Sequence, residues 1–327
     1  MMKKYLMGTA ILCLQDRNLM ALLKWVYESE IYVHYWNVDM LYIIADEIAQ
    51  ELVDDEAASV QGARMLLGDM LYPIIKKQPK RMAAFLHQYT YPNVNEEQIQ
   101  DFWERWILLF DEHVKHAPSL TKWFFDKVIR EKLVESKNLR KQFSAPREDY
   151  IILEHFLSYY ASPLLIFSKS FHLFDTESEI MKRLESSQFV LENKAVQNYK
   201  FIEDSKLDLR IQICDVLVGC LSWFFTFLKN TNEAALLSFA LSLNKKQKIS
   251  LSLLCEILRK SFEKNPAFTS SINSATEREN LAYIMGIFSL KDSEEQFVHD
   301  ASFKDGVLRF YQREDFIAPI KEFLQRS

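Results

Sequence analysis

Glycine and proline are scarce, 6 and 8 residues in a chain of 327. Turn-rich all-β folds use both at their turns, so the shortage points to long helices. Cysteine is scarce as well. Cys13, Cys214, Cys220 and Cys255 show no CxxC spacing, and they read as reduced core thiols in a cytoplasmic protein. A net charge of −5 gives no global basic field for nucleic acid, although a local basic groove remains open. No apolar run reads as long enough to span a membrane, because the longest, around Val216–Leu228, is broken by Gly219, Ser222 and Thr226. The opening MMKKYLMGTAILCL has the outline of a signal peptide without a small-residue cleavage site, and reads as a strand. HExxH, a Gly-rich phosphate loop and GxSxG are all absent. Their absence disfavours P-loop nucleotide-binding and α/β-hydrolase readings.

What is present is a globular balance, 49% hydrophobic and 26% charged. Aromatic residues reach 13%, so the cores should be bulky. Residues 5–14 read as a short buried strand, Ile31–Trp36 as a second strand or a tight entry segment, and Val38–Val53 as a helix. From about Ser59 to Lys141 the pattern is helical, punctuated by Pro73, Pro79 and Pro92. Ser136–Arg147 reads as a linker, and Glu148–Tyr160 as a helix stopped by Ser162–Pro163. Strand character returns at Ser170–Phe174, Gln188–Leu191 and Lys200–Ile202. Asn232–Leu243, Lys248–Phe262 and Glu277–Phe288 read as amphipathic helices, Gly306–Tyr311 as a β-prone piece and Phe316–Gln325 as a closing helix.

The stretch Tyr199–Phe227 reads as a strand, an acid-rich turn and a deeply buried helix. The polar residues of that helix, Gln212, Asp215, Gly219, Ser222 and Thr226, recur at three- and four-residue spacing and form one stripe. A carboxylate buried on such a helix needs a cation or a hydrogen-bond network to offset its charge. Asp215 is therefore the leading site candidate. Acids also gather at the ends of apolar runs: Asp175 and Glu177, then Glu203, Asp204 and Asp208. Carboxylates converging from several elements suit Mg2+ or Mn2+ and the hydrolysis of phosphodiesters. The alternative is local: an acid after a strand or in a turn is solvated or caps a helix, and Asp208 is placed to cap one starting near Leu209. His34 and His172 read as locally hydrogen-bonded histidines, and His113 and His116 as solvated. Arg81 and His87, in RMAAFLH, resemble the arginine–histidine pair of HEPN-type helical ribonucleases. The basic run Lys76-Lys77-Gln78-Pro79-Lys80-Arg81 precedes them and reads as a helix junction able to contact phosphates.

The runs VHYWNVDMLYIIADEI, FHLFDTESEI and FIEDSKLDLRIQICDVLVG resemble the family called domain of unknown function 3800. That resemblance covers the first fifty residues and roughly 165–230. It implies a ribonuclease-H-like core, an α/β fold that is predominantly helical here, with a mixed sheet. Residues 1–58 and 148–230 would form the core, 59–147 a helical insertion and 231–327 a C-terminal helical region. It implies a divalent-metal-dependent nuclease or phosphodiesterase associated with mobile elements or phage defence, with Asp175 and Asp215 catalytic. Asp175, Glu177, Asp208 and Asp215 would hold Mg2+ or Mn2+. The implied partners are nucleic acid, a partner protein or a second copy, with no membrane. Members of that family open with a strand carrying Asp-Glu-Ser-Gly, and this chain has no such run. A non-catalytic binding or regulatory protein on a degenerate version of the scaffold is therefore the alternative expectation.

Overall fold

A computed structural model describes residues 14–52, 60–115, 129–139, 157–186, 190–191 and 194–288. In chain order the elements begin with α1 (Arg17–Glu28), β1 (Tyr35–Val38), α2 (Met40–Leu52), α3 (Val60–Lys77), α4 (Pro79–Gln88), α5 (Ile99–Val114) and α6 (Glu131–Asn138). They continue with α7 (Leu157–Ile166), β2 (His172–Asp175), α8 (Ser178–Ser186), β3 (Val190–Leu191), β4 (Lys194–Ala195) and β5 (Tyr199–Ile202). The last are α9 (Leu209–Lys229), α10 (Glu233–Ser242), α11 (Lys245–Lys264), β6 (Thr269–Ile272) and α12 (Ala275–Ile287). The protein is predominantly helical. Among the described residues the strands form two-stranded sheets, β1 with β6, β2 with β5 and β3 with β4, in place of the single mixed sheet expected. Residues 5–13, 140–147 and 306–325, assigned above to a strand, a linker and a closing piece and helix, lie outside the described residues, as do Cys13 and His116.

The chain divides into two compact units. The first takes Met1–Asn37, Leu153–Ser271 and Thr276–Val298, and the second takes Val38–Ile152, Ile272–Ala275 and His299–Ser327. The C-terminal helices α10–α12 thus share a unit with α9, and the helical unit begins at Val38, ahead of residue 59. It begins there because α2 packs along α3 through Ile44, Ile48, Leu67 and Leu71, all buried in one core.

In the first unit, α1, α9, α10, α11 and α12 enclose a core that includes Leu23, Leu221, Phe224, Leu254 and Ile284. Two polar side chains close helix ends there. Lys260 donates to the carbonyls of Val26, Tyr27 and Ser29 at 2.6–2.9 Å, at the end of α1. Asn280 donates to Leu228 and Thr231 at 2.9 and 2.7 Å, at the end of α9. These are carbonyls that a helix terminus leaves without intrahelical donors. A smaller core of the same unit joins α7 and α8 through Ala161, Leu164, Ile180 and Leu184, with Phe174 of β2 and Phe201 of β5 against it. β2 and β5 pair in parallel, with Asp175 opposite Ile202.

The second unit is helical and rich in aromatic residues. α5 turns Phe102, Trp103, Trp106 and Phe110 inward against Phe85, Tyr89 and Tyr91. α3 runs through Pro73, within the stretch read as helical, and α7 of the first unit runs through Pro163, which was expected to stop a helix. A proline removes one helical N–H and crowds the preceding turn. Pro163 of α7 is itself buried, which provides packing against that loss.

Candidate functional site

The acids singled out in the sequence sit at the carboxyl edge of the β2–β5 pair and along α9, all in the first unit. Asp175 ends β2, is exposed, and accepts the Thr176 N–H at 2.8 Å. The Thr176 hydroxyl donates to the Ile202 carbonyl at 2.7 Å, which ties the two strand ends together. Glu177 is exposed one residue before α8. Burial, followed by the charges of Glu177 and Asp175, raises the pKa of the Tyr160 phenol, so both acids lie near that ring. Asp204 accepts the Lys206 N–H at 3.1 Å in its own turn.

Asp208 is the N-cap of α9 and accepts the Arg210 N–H at 2.9 Å. The Arg210 guanidinium also grips both its oxygens, at 3.0 and 2.6 Å. Hydrogen bonds from Arg210 hold its carboxyl down at about 2, against a desolvation that works the other way. Each of these three aspartates therefore has a local partner in its own turn.

Asp215 differs from expectation. It is exposed, as are Gln212, Gly219, Ser222 and Thr226, so the whole polar stripe faces solvent. The apolar side of α9, with Leu217, Leu221, Phe224, Phe225 and Leu228, fills the core. The helix looks apolar all round because Val216 and Val218 flank the stripe, at 48% and 63% exposure. Gly219 has open space where a side chain would go. Asp215 makes no hydrogen bond or ion pair among the described residues. Its charge reaches Cys214, whose thiol burial pushes up first, with Asp215 and Asp208 adding to the shift. By length and composition α9 could also cross a membrane, because three breaks in an apolar run hardly lower its average. A core helix has the same composition, and 44% of that window is buried.

Among the described residues no group of three or more His, Cys, Asp or Glu is placed to hold a metal ion. Cys214, Cys220 and Cys255 form no disulfide among the described residues. Among the described residues Cys255 alone is a fully buried core thiol, pushed up to about 12 by burial, whereas Cys214 is exposed. Arg81 and His87 do not converge. Six residues along a helix set them about 120° apart, and Arg81 turns to Glu112 at 3.1 Å.

His34 was expected to be hydrogen-bonded locally. Its Nε2 is instead buried without a partner, and its ring meets Phe167 edge-on at 5.2 Å. The His172 ring nitrogen lies 3.3 Å from the Phe167 carbonyl. Burial, and then the charge of His172, lower the His34 pKa from 6.5. The folded state thus holds His34 neutral where the unfolded chain takes up a proton. Stability is present above about pH 6.5 and is lost as the pH falls below it. The loss has a ceiling of about 1.4 kcal/mol per pH unit, which half-exposure reduces. The melting temperature should fall between pH 7.5 and about 5.5, and fall less in His34→Phe. Parallel curves for the two proteins would remove His34 as a contributor.

No family model matches the chain, and no curated protein or solved structure matches it.

Proposed function

We propose that this chain is a non-catalytic binding or regulatory protein of the cytoplasm. Asp208 carries the reading. A catalytic divalent ion needs carboxylate oxygens free to ligate it, and both oxygens of Asp208 are taken by Arg210. Asp175 and Asp204 are engaged in their own turns, and Asp215 stands on the solvent face of α9. Cys214, Cys220 and Cys255 form no disulfide among the described residues, and Cys214 is exposed, which fits a reducing compartment. The ribonuclease-H-like scaffold and its kinship with the domain of unknown function 3800 family remain part of the proposal. They draw on one pairing, the parallel β2–β5 ladder.

That ladder also favours the second reading, a nuclease or phosphodiesterase using Mg2+ or Mn2+ on nucleic acid. Asp175 and Glu177 stand at the carboxyl edge of parallel strands, where α/β sites form. The experiment incubates the full chain with single- and double-stranded DNA and RNA, in Mg2+ and in Mn2+, beside Asp175→Asn and Asp215→Asn. The expected result is that all three proteins match buffer. Metal-dependent cleavage by the wild type that either variant abolishes would establish the nuclease instead.

A further inference from the structure

α9 carries an apolar stripe that leaves the core before the helix begins. Leu209, Ile213, Val216, Cys220, Trp223 and Phe227 recur at alternating spacings of four and three residues, so they share one side of the helix. Phe227 is buried in the core of the first unit, and Trp223, Cys220 and Ile213 pack partly against that core. Toward the start of α9 the stripe emerges into water, with Val216 at 48% exposure and Leu209 at 68%. Apolar surface continuous with a core gains by being covered.

Leu14, the first described residue, points to what covers it. Leu14 is 1% exposed and lies in the same core as Leu217 and Leu221 of α9. The residues just before it, 5–13, are apolar apart from Gly8 and Thr9 and carry no charge. They belong to the same unit as α9. From Leu217 back to Leu209 is about 12 Å along the helix axis. The segment 5–13 spans about 14 Å as a helix and about 30 Å extended, so either form reaches past the open stripe. Charge sets its direction. Lys3 and Lys4 precede the segment, and the exposed acids Glu203 and Asp204 precede α9. A segment running from Leu14 toward Leu209 brings these opposite charges together.

We propose that residues 5–13 pack along the Leu209–Val216 stripe, antiparallel to α9, and close the core of the first unit there. A second copy of the chain is the competing occupant, because alternating spacings of four and three also suit another helix. The segment has the advantage of its tether. Leu14 keeps it beside the stripe at every protein concentration, whereas a second copy has to be recruited from solution. The packing holds for a binding protein and for a nuclease alike.

The test alkylates single added cysteines in the full chain and locates the label by mass spectrometry. Val216→Cys reports on the stripe. Ser222→Cys, at an exposed position of the polar stripe about 120° round the helix, reports on open surface. Val216→Cys should react at least about tenfold more slowly than Ser222→Cys, at a rate independent of protein concentration. Adding Leu6→Asp and Ile11→Asp, one on each side of an extended segment, should bring the two rates within about twofold. Amide exchange in α11 should stay unchanged in that variant, which separates release of the segment from unfolding. If α11 loosens as well, the converse variant decides. Residues 5–13 should exchange slowly in the unsubstituted chain and as an open chain in Leu209→Asp with Val216→Asp, both changes at exposed positions. Equal alkylation of Val216→Cys and Ser222→Cys, or slow alkylation of Val216→Cys that the charges in the segment leave unchanged, would overturn the proposal. So would protection of Val216→Cys that appears only as the protein concentration rises, which would give the stripe to a second copy.

Discussion

Replacing Trp106 by alanine should destabilise the second unit by about 3–5 kcal/mol, the cost of truncating a buried Trp or Phe. The inward face of α5 follows from its sequence. Ile99, Phe102, Trp103, Trp106, Phe110 and Val114 recur at helical spacing, and all are buried. Trp106 is fully buried and meets Phe85 edge-on with ring centroids 5.8 Å apart. Alanine leaves a cavity whose walls are rigid aromatic rings from α4 and α5, and such walls collapse poorly into a void. The indole N–H has no hydrogen-bond partner, so Trp106→Phe keeps most of the ring contacts and also removes a buried orphan donor. That variant should cost no more than about 1.5 kcal/mol. Amide hydrogen exchange resolved to α4 and α5 provides the measurement, because a chain of two units need not unfold in one step. Equal losses in the two variants would mean that the indole nitrogen, and not ring volume, governs the site.

The same periodicity explains what the sequence could and could not disclose elsewhere. α5 falls within the stretch read as helical, and its buried apolar residues recur along one face. α9 was legible as a helix, down to Asp208 as its cap, but its orientation was not. With valines on both borders of the polar stripe, apolar content alone does not say which side meets protein, and the stripe of Gln212, Asp215, Gly219, Ser222 and Thr226 turned out to be the wet side. Asp215 then needs no partner, since water solvates it. β1 is shifted from the expected Ile31–Trp36 to Tyr35–Val38 because its partner β6 lies more than 200 residues away, and strand limits follow from pairing. Pro163 misled for a related reason, since tertiary packing decides whether a helix continues past a proline. His113 was read as solvated. A histidine next to a glutamate near the end of an amphipathic helix gives that impression, yet the ring is half-buried and its Nδ1 is shut off from water.

Asp39→Ala should produce the other large loss, about 3 kcal/mol in the second unit, adding a lost helix cap to a lost buried acceptor. Asp39 precedes α2 and is only 4% exposed. Its Oδ1 accepts the Leu41 N–H at 2.9 Å, which caps the helix. Its Oδ2 accepts the Tyr72 hydroxyl of α3, and its own N–H donates to the Ile272 carbonyl at 2.8 Å. A few residues on, the Ala275 N–H donates to Asp69 of α3 at 2.6 Å. These bonds hold the short segment Ile272–Ala275 in the helical unit despite its distance in sequence. Alanine keeps the backbone bond to Ile272 and removes both side-chain bonds, so the damage should centre on the start of α2 and on the Tyr72 hydroxyl. Asp39→Asn retains a carbonyl oxygen for one of the two donors and should lose about half as much. Tyr72→Phe separates the contributions. In a double-mutant cycle with Asp39→Ala the coupling should be about 1–2 kcal/mol, because each change removes the same hydroxyl–carboxylate bond. Additive losses would assign the stability at this site to the helix cap alone, and Tyr72 would then act through its ring, which packs edge-on against Tyr42 at 5.6 Å.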